Sequence, residues 1–213
     1  MSLGQVYTVG TKSPYLHLDI YKGHIATSHA HMNYYIDIAS NKASIKEARA
    51  IAEVLSEHYR ASAEIDTILC LDNTEVIGAC LADCLTAPDS FSVNAGRDIF
   101  VLTPEHIGGS QLYFRDNTAP MIAGKSVLIL AASVVTGYTA ESAAEAIRYY
   151  GGEPVGVCSI FAKITDCAGL RVRSVFDPTD LPDYNTSPAL TCPMCRRGER
   201  ITALVNSFGI SAL

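Results

Sequence analysis

The stretch Ser126–Ile147, SVLILAASVVTGYTAESAAEAI, joins an apolar run to a helical pattern through the turn VVTGYTAES. Gly137 lets the backbone turn tightly, Thr136 and Thr139 bring hydroxyls, and Thr139 is the expected N-cap of the helix that follows. The N–H groups of a helix's first turn have no partner inside the helix, and with the dipole behind them they favour an anion. Val135, Thr136, Gly137, Tyr138 and Thr139 therefore read as a cradle for a phosphate group. A strand–glycine–helix turn is also a common structural connection. Ala131 and Ala132, which end the apolar run, carry no reactive group and read as buried strand.

Other residues offer metal or redox chemistry. Cys192-Pro-Met-Cys195 has the spacing of a zinc knuckle, but a tetrahedral site needs two further ligands. No second such pair or nearby histidine pair supplies them along the chain, and Cys167 is the nearest thiol left over. Two protomers could complete a site by pairing their motifs; otherwise zinc is not expected. His17, His24, His29 and His31 crowd the N-terminal segment. Alternation puts His29, His31 and Asp37 on one strand face, a spacing that can hold a metal, although polar residues beside a cleft are the simpler reading. No local motif marks a Ser-His-Asp or Cys-His nucleophile.

The elements that would position these groups alternate along the chain. YLHLDIY (15–21) and NYYIDI (33–38) have strand alternation. A helix is expected from Ile45, with Ser44 and Glu47 in capping-box spacing and Ile45, Ala48, Ile51, Ala52, Val54 and Leu55 on its apolar face. DTILCL (66–71), DIFVL (98–102), SVLIL (126–130) and PVGVCSIFA (154–162) read as strands, with helices over EVIGACLADCL and 140–150. Gly151 and Gly152 end the second helix. Apolar strands alternating with helices imply α/β architecture, a mostly parallel sheet with helices on both faces. One domain over 1–213 is expected, with an N-terminal extension or hood in 1–43 and a C-terminal extension in 163–213.

Composition narrows the classes. The chain has 213 residues, 48% of them hydrophobic and 18% charged, which suits a globular protein with a sizeable core. A net charge of −6 argues against sequence-independent nucleic-acid binding, which needs a basic face. Seven cysteines, several in apolar segments, suit reduced buried thiols. No apolar run reaches bilayer length and the first residues lack a secretory pattern, so no membrane association and a cytoplasmic location are expected.

The stretch KSVLILAASVVTGYTAESAAEAIRYYGGEPVGV resembles the signature of type I phosphoribosyltransferases. HMNYYIDI (31–38) and CPMCRRGERITALVNSFG make the resemblance nearer to orotate phosphoribosyltransferases, and it spans about residues 25–209 in the same order. The resemblance implies a homodimer in pyrimidine metabolism, with magnesium required if the chain is an active glycosyltransferase. It places the monophosphate at Val135–Thr139, with Tyr138 in place of a small residue. The diphosphate would lie by Asp72, Asn73, Thr74 and Glu75, and the base near Tyr34 or Tyr35, only one of which can face the site.

The chain departs from that pattern in four places. The family's ribose-binding carboxylates correspond to Ala131 and Ala132, and each such charged hydrogen bond is worth roughly 1.5–3 kcal/mol. Thr74 and Glu75 replace glycines, and Glu75 brings negative charge towards an anionic group. The loop 103–120 has no lysine, only His106 and Arg115, and Thr27 stands where a lysine is usual. The expectation is a protein that binds a nucleotide or a phosphorylated ribose ligand with weak or no phosphoribosyl transfer; a sensing or regulatory role would fit, although the sequence does not show one. The alternatives are an active orotate phosphoribosyltransferase using Asp72, Glu75 and magnesium, and a structural or partner-binding module whose pocket Tyr138 fills.

Overall fold

The computed structural model describes residues 6–10, 15–28, 30–107, 111–206 and 209–213. In chain order its regular elements begin with strands β1 (Val6–Gly10), β2 (His17–Ala26) and β3 (Ala30–Asp37) and helices α1 (Ala39–Ala43) and α2 (Ile45–Glu57). There follow β4 (Thr67–Cys70), α3 (Glu75–Thr86), β5 (Phe100–Leu102), β6 (Glu105–Ile107), β7 (Gln111–Tyr113), β8 (Ser126–Val134) and α4 (Tyr138–Tyr149). The last are β9 (Glu153–Ala162), β10 (Asp166–Cys167), β11 (Leu170–Phe176), β12 (Thr186–Pro188), α5 (Pro193–Arg196), β13 (Ala203–Asn206) and β14 (Gly209–Ala212). They fall into two compact units, residues 39–177 and residues 1–38 with 178–213.

The unit of residues 39–177 has the mixed α/β architecture expected. Its sheet runs β10-β11-β9-β8-β4-β5, parallel throughout except for the β10–β11 pair. β4 is buried at every residue and β8 and β9 almost so, which requires cover on both faces. On one face Ala140, Ala143, Ala144 and Ile147 of α4 pack with Leu69, Val127, Ile129 and Ala131. Helices α2 and α3 pack against each other and bury Ile51, Leu55, Ile77, Leu81 and Leu85 completely.

Local signals set the helix ends, with one change of partner. The Ser44 hydroxyl caps α2 by accepting the Glu47 N–H at 3.5 Å. The reciprocal half of the capping box does not form. Ser40 and Asn41 of α1 donate to the Glu47 carboxylate, and the Ser44 N–H goes to the Ser40 carbonyl instead. Ile45, counted on the apolar face, is exposed, because that face turns to its neighbours only from Ala48 onwards.

Asp66, just before β4, ties two crossings together. One carboxylate oxygen accepts the Ser126 N–H at 3.0 Å, and the other takes Arg97 at 2.8 Å. The Ser126 N–H, and behind it Arg97 and Lys125, hold this carboxyl below the usual carboxylate range despite partial burial. A depressed folded value means that its stabilisation is in place above the unfolded value near ~3.9 and is lost as pH falls through the folded one. Asp66→Asn is expected to cost about 1–3 kcal/mol at neutral pH, shrinking once the wild-type group protonates. Urea unfolding at neutral and strongly acid pH measures the difference.

The other unit is a sheet made from both terminal regions. Its strand path is β12-β3-β2-β13-β14, and β1 also pairs with β2. The sequence reading placed strands at 15–21 and 33–38 but did not pair them with residues 186–212. The β2–β3 register shifts between Lys22 and Ile25, so that Gly23 and His24 face a single residue of β3. Such a bulge re-aims the side chain that follows. Gly23 also makes room for the neighbouring Thr202 side chain, since a Cβ there would lie 2.4 Å from its hydroxyl.

Candidate functional site

The turn after β8, predicted to cradle an anion, leads from the strand into α4 through Gly137. The strand runs on to Val134, four residues beyond the expected SVLIL, and α4 starts at Tyr138. Gly137, not Thr139, is the N-cap, in the left-handed region with φ 86°. The reason is steric, because only glycine enters that region freely and the tight turn needs it. Thr139 therefore lies within the first helical turn and points no cap at it. A Cβ on Gly137 would come within 2.9 Å of Cys167 Sγ and 3.0 Å of Ile164. The Cys167 thiol lies 3.2 Å from the Gly137 carbonyl and donates to it.

A groove of about 200 Å³ opens over this turn, lined by Ala131, Ser133, Val134 and residues 135–140. All five residues predicted to hold a phosphate, Val135, Thr136, Gly137, Tyr138 and Thr139, border it. Tyr138 is 62% exposed, so its ring borders the groove and does not fill it. Ala131 and Ala132 are buried, as a continuing strand requires.

The earlier loop is held by its own hydrogen bonds. Asp72 and Asn73 both adopt positive φ, 57° and 60°, a conformation that glycine would take more easily. Buried Thr74 fixes the turn by donating to the Leu71 carbonyl at 2.8 Å, and Lys42 donates to the Asp72 carbonyl at 2.8 Å. The Asp72 carboxylate accepts the Ala132 N–H at 3.3 Å. Glu75 stands in the first turn of α3, where the helix dipole favours it, and its carboxylate accepts the Thr103 hydroxyl at 2.8 Å. Both acidic groups that could replace the family's carboxylates thus have partners within the chain.

Within residues 103–120, β6 and β7 pair antiparallel. Arg115 lies against Glu105 through two hydrogen bonds of 2.8 and 2.7 Å, and His106 is exposed. Tyr34 and Tyr35 of β3 are half-buried and separate as alternation requires. Lys22 lies 5.8 Å from the Tyr34 ring centre, while Tyr35 packs on Tyr21 at 6.2 Å. Burial, with Asp37 and Tyr21 nearby, raises the Tyr35 phenol. Cys70 and Cys158 are core residues. Burial pushes Cys70 up to about 12 and Cys158 further, which makes neither a ready nucleophile.

A second group of reactive side chains lies in the unit of residues 1–38 and 178–213. His24, His31, Cys192 and Cys195 place one ligand atom each within 4.8 Å of all the others. The sequence reading named the cysteine pair and His31 but had no reason to choose His24, which is 168 residues from Cys192. His29, the expected partner of His31, lies outside the described residues. Cys167 serves the Gly137 turn instead. Burial opposes a thiolate at Cys192, but the Cys195 N–H, His31, the Met194 N–H and Ser187 outweigh it and bring the thiol down to about 6. Desolvation and the neighbouring Cys192 raise Cys195.

Among the described residues no helix is long and apolar enough to cross a membrane. No family model matches the chain. The chain is 25% identical over 204 residues to the orotate phosphoribosyltransferase of Sulfurimonas denitrificans, across 89% of this chain and 95% of that protein. A phosphoribosyltransferase from Corynebacterium diphtheriae superposes with a TM-score of 0.53 at 24% identity, covering 76% of this chain and 90% of that one. Orotate phosphoribosyltransferase of Mycobacterium tuberculosis H37Rv gives 0.50 at 21% identity, covering 70% and 83%. The parallel sheet, the loop after β8 and a similarity that runs through nearly the whole chain together give it the fold of type I phosphoribosyltransferases and a sequence similar to that of an orotate phosphoribosyltransferase.

Proposed function

We propose that the protein binds the phosphate of a nucleotide or another phosphorylated ribose at Val135–Thr139 and transfers phosphoribose weakly or not at all. The open groove over the left-handed Gly137 carries this reading, because it aims the first turn of α4 at space large enough for a phosphate. Phosphoribosyl transfer needs more than that. The sugar must be held, and the leaving diphosphate must be stabilised as its charge develops. Ala131 and Ala132 have nothing with which to hold the ribose hydroxyls. Asp72 and Glu75 are engaged by Ala132 and Thr103. Arg115, a base of the hairpin loop, is paired with Glu105. What remains is recognition of a phosphate, which suits a sensing role.

Two measurements test the proposal. Incubation with phosphoribosyl pyrophosphate, magnesium and orotate is expected to release no pyrophosphate above the blank. Titration with nucleoside monophosphates is expected to raise the unfolding midpoint, by the equivalent of about 2.7 kcal/mol at a hundred times the dissociation constant. Sustained turnover would instead establish an active orotate phosphoribosyltransferase. Silence across the whole panel of monophosphates would leave a structural or partner-binding module.

A further inference from the structure

We propose that His24, His31, Cys192 and Cys195 form a closed, four-coordinate zinc site that joins the N-terminal hairpin to the C-terminal knuckle. The distances between the ligand atoms are close to those of a tetrahedron around zinc. With bonds of about 2.3 Å to sulfur and about 2.05 Å to nitrogen, tetrahedral edges are about 3.8 Å between sulfurs, 3.6 Å from sulfur to nitrogen and 3.3 Å between nitrogens. Here Cys192 Sγ and Cys195 Sγ each lie 3.6 Å from His24 Nε2. Cys195 Sγ is 3.2 Å from His31 Nδ1, and the two ring nitrogens are 2.9 Å apart. Small outward shifts of the His31 ring would complete the figure.

The surroundings orient the ligands for this task. His24 Nδ1 is 2.8 Å from the Glu199 carbonyl, which can only accept, so that nitrogen carries the proton. In the neutral ring the lone pair is then on Nε2, directed at the other three ligand atoms. A backbone carbonyl behind a ligating histidine is the usual outer partner of a zinc site. The bulge at Gly23–His24 and the Thr202 N–H donated to the His24 carbonyl at 2.8 Å fix where that ring stands. On the other side, the Cys195 and Met194 N–H groups and the Ser187 hydroxyl converge on Cys192 sulfur. Ser187 is the cross-strand neighbour of His31, so β12 supports two ligands at once.

The chemistry selects zinc and a structural role. Two thiolates and two neutral imidazoles suit a borderline-soft divalent ion and neutralise its charge, whereas magnesium prefers oxygen. Each cysteine binds as its thiolate, any thiol proton still present passes to solvent, and no redox step is involved. Four protein ligands leave no open position for water or substrate. Three of the four residues are buried and only Cys195 reaches the surface. Every ligand comes from residues 1–38 and 178–213, whereas Val135–Thr139 belong to the other unit.

The full chain, prepared without a polyhistidine tag and kept reduced, should carry one zinc per chain by elemental analysis. Replacing the metal by Co2+ should give thiolate-to-cobalt charge-transfer absorption and the intense visible bands of a tetrahedral ion. Losing an outer-shell partner typically costs ten- to a hundredfold in affinity, so Cys195→Ser and His31→Gln should each weaken Co2+ binding by more than about a hundredfold. Chelation should lower the unfolding midpoint, and zinc but not magnesium should restore it. Cobalt that binds without charge-transfer absorption would overturn the proposal. So would equal metal affinity in wild type and Cys195→Ser, or a Cys192–Cys195 disulfide in reduced preparations. The wild-type cobalt spectrum decides even if a variant fails to fold, and none of these readouts depends on nucleotide binding.

Discussion

Gly137→Val is expected to abolish the thermal response to nucleoside monophosphates and to destabilise the protein by about 2–5 kcal/mol. Two penalties act together. A residue with a Cβ pays about 1–2 kcal/mol in the left-handed region, and a β-branched one pays at the upper end. The new Cβ would also lie 2.9 Å from Cys167 Sγ and 3.0 Å from Ile164 Cδ1, and overpacking of this kind costs about 1–3 kcal/mol. Gly137→Val with Cys167→Ala separates the two, because it relieves the contact with sulfur and leaves the backbone strained. Stability should recover in part while ligand binding does not. A Gly137→Val protein that bound monophosphates as wild type does would remove the cradle from its assigned place.

The second large effect is expected at Gly78, where α3 lies closest to β4. A Cβ there would meet Cys70 Sγ at 2.4 Å and Val101 Cγ1 at 3.1 Å. Gly78→Val is expected to destabilise by about 2–4 kcal/mol, since neither neighbour can yield in a close-packed sheet. Replacing Cys70 by alanine in the same chain should recover a measurable part of that loss. Additive effects, measured by urea unfolding of the four proteins of the cycle, would mean that the helix does not approach the strand at Cys70. The contact also bears on the site, because Cys70 leads into the Asp72–Thr74 turn whose carboxylate holds the Ala132 N–H.

The central sheet was legible because its signals are local. Continuous apolar runs in β4, β8 and β9, and the 3.6-residue period in α2, fix those elements within a few residues. Errors arose where a neighbour competed for the same group. Thr139 has the right chemistry for a cap, but Gly137 could take the left-handed turn and α4 began two residues sooner. Glu47 has the right spacing for a capping box, but Ser40 and Asn41 reached its carboxylate first. The histidine–cysteine cluster was half visible. The spacing of Cys192 and Cys195 announced two ligands, whereas His24 owes its place to a bulge and to pairing across the chain, which no local pattern encodes.

That β13 lies parallel beside the end of β2, and β12 antiparallel beside β3, has a consequence for synthesis. As the polypeptide leaves the ribosome, the early hairpin must wait with open edges until the last strands have been made. Such long-range closures are slow to form and, while unmet, invite strand pairing with other nascent chains. Cells making this protein would accordingly hold an immature form that chaperones recognise, and shortening the C-terminal strands should prolong its life.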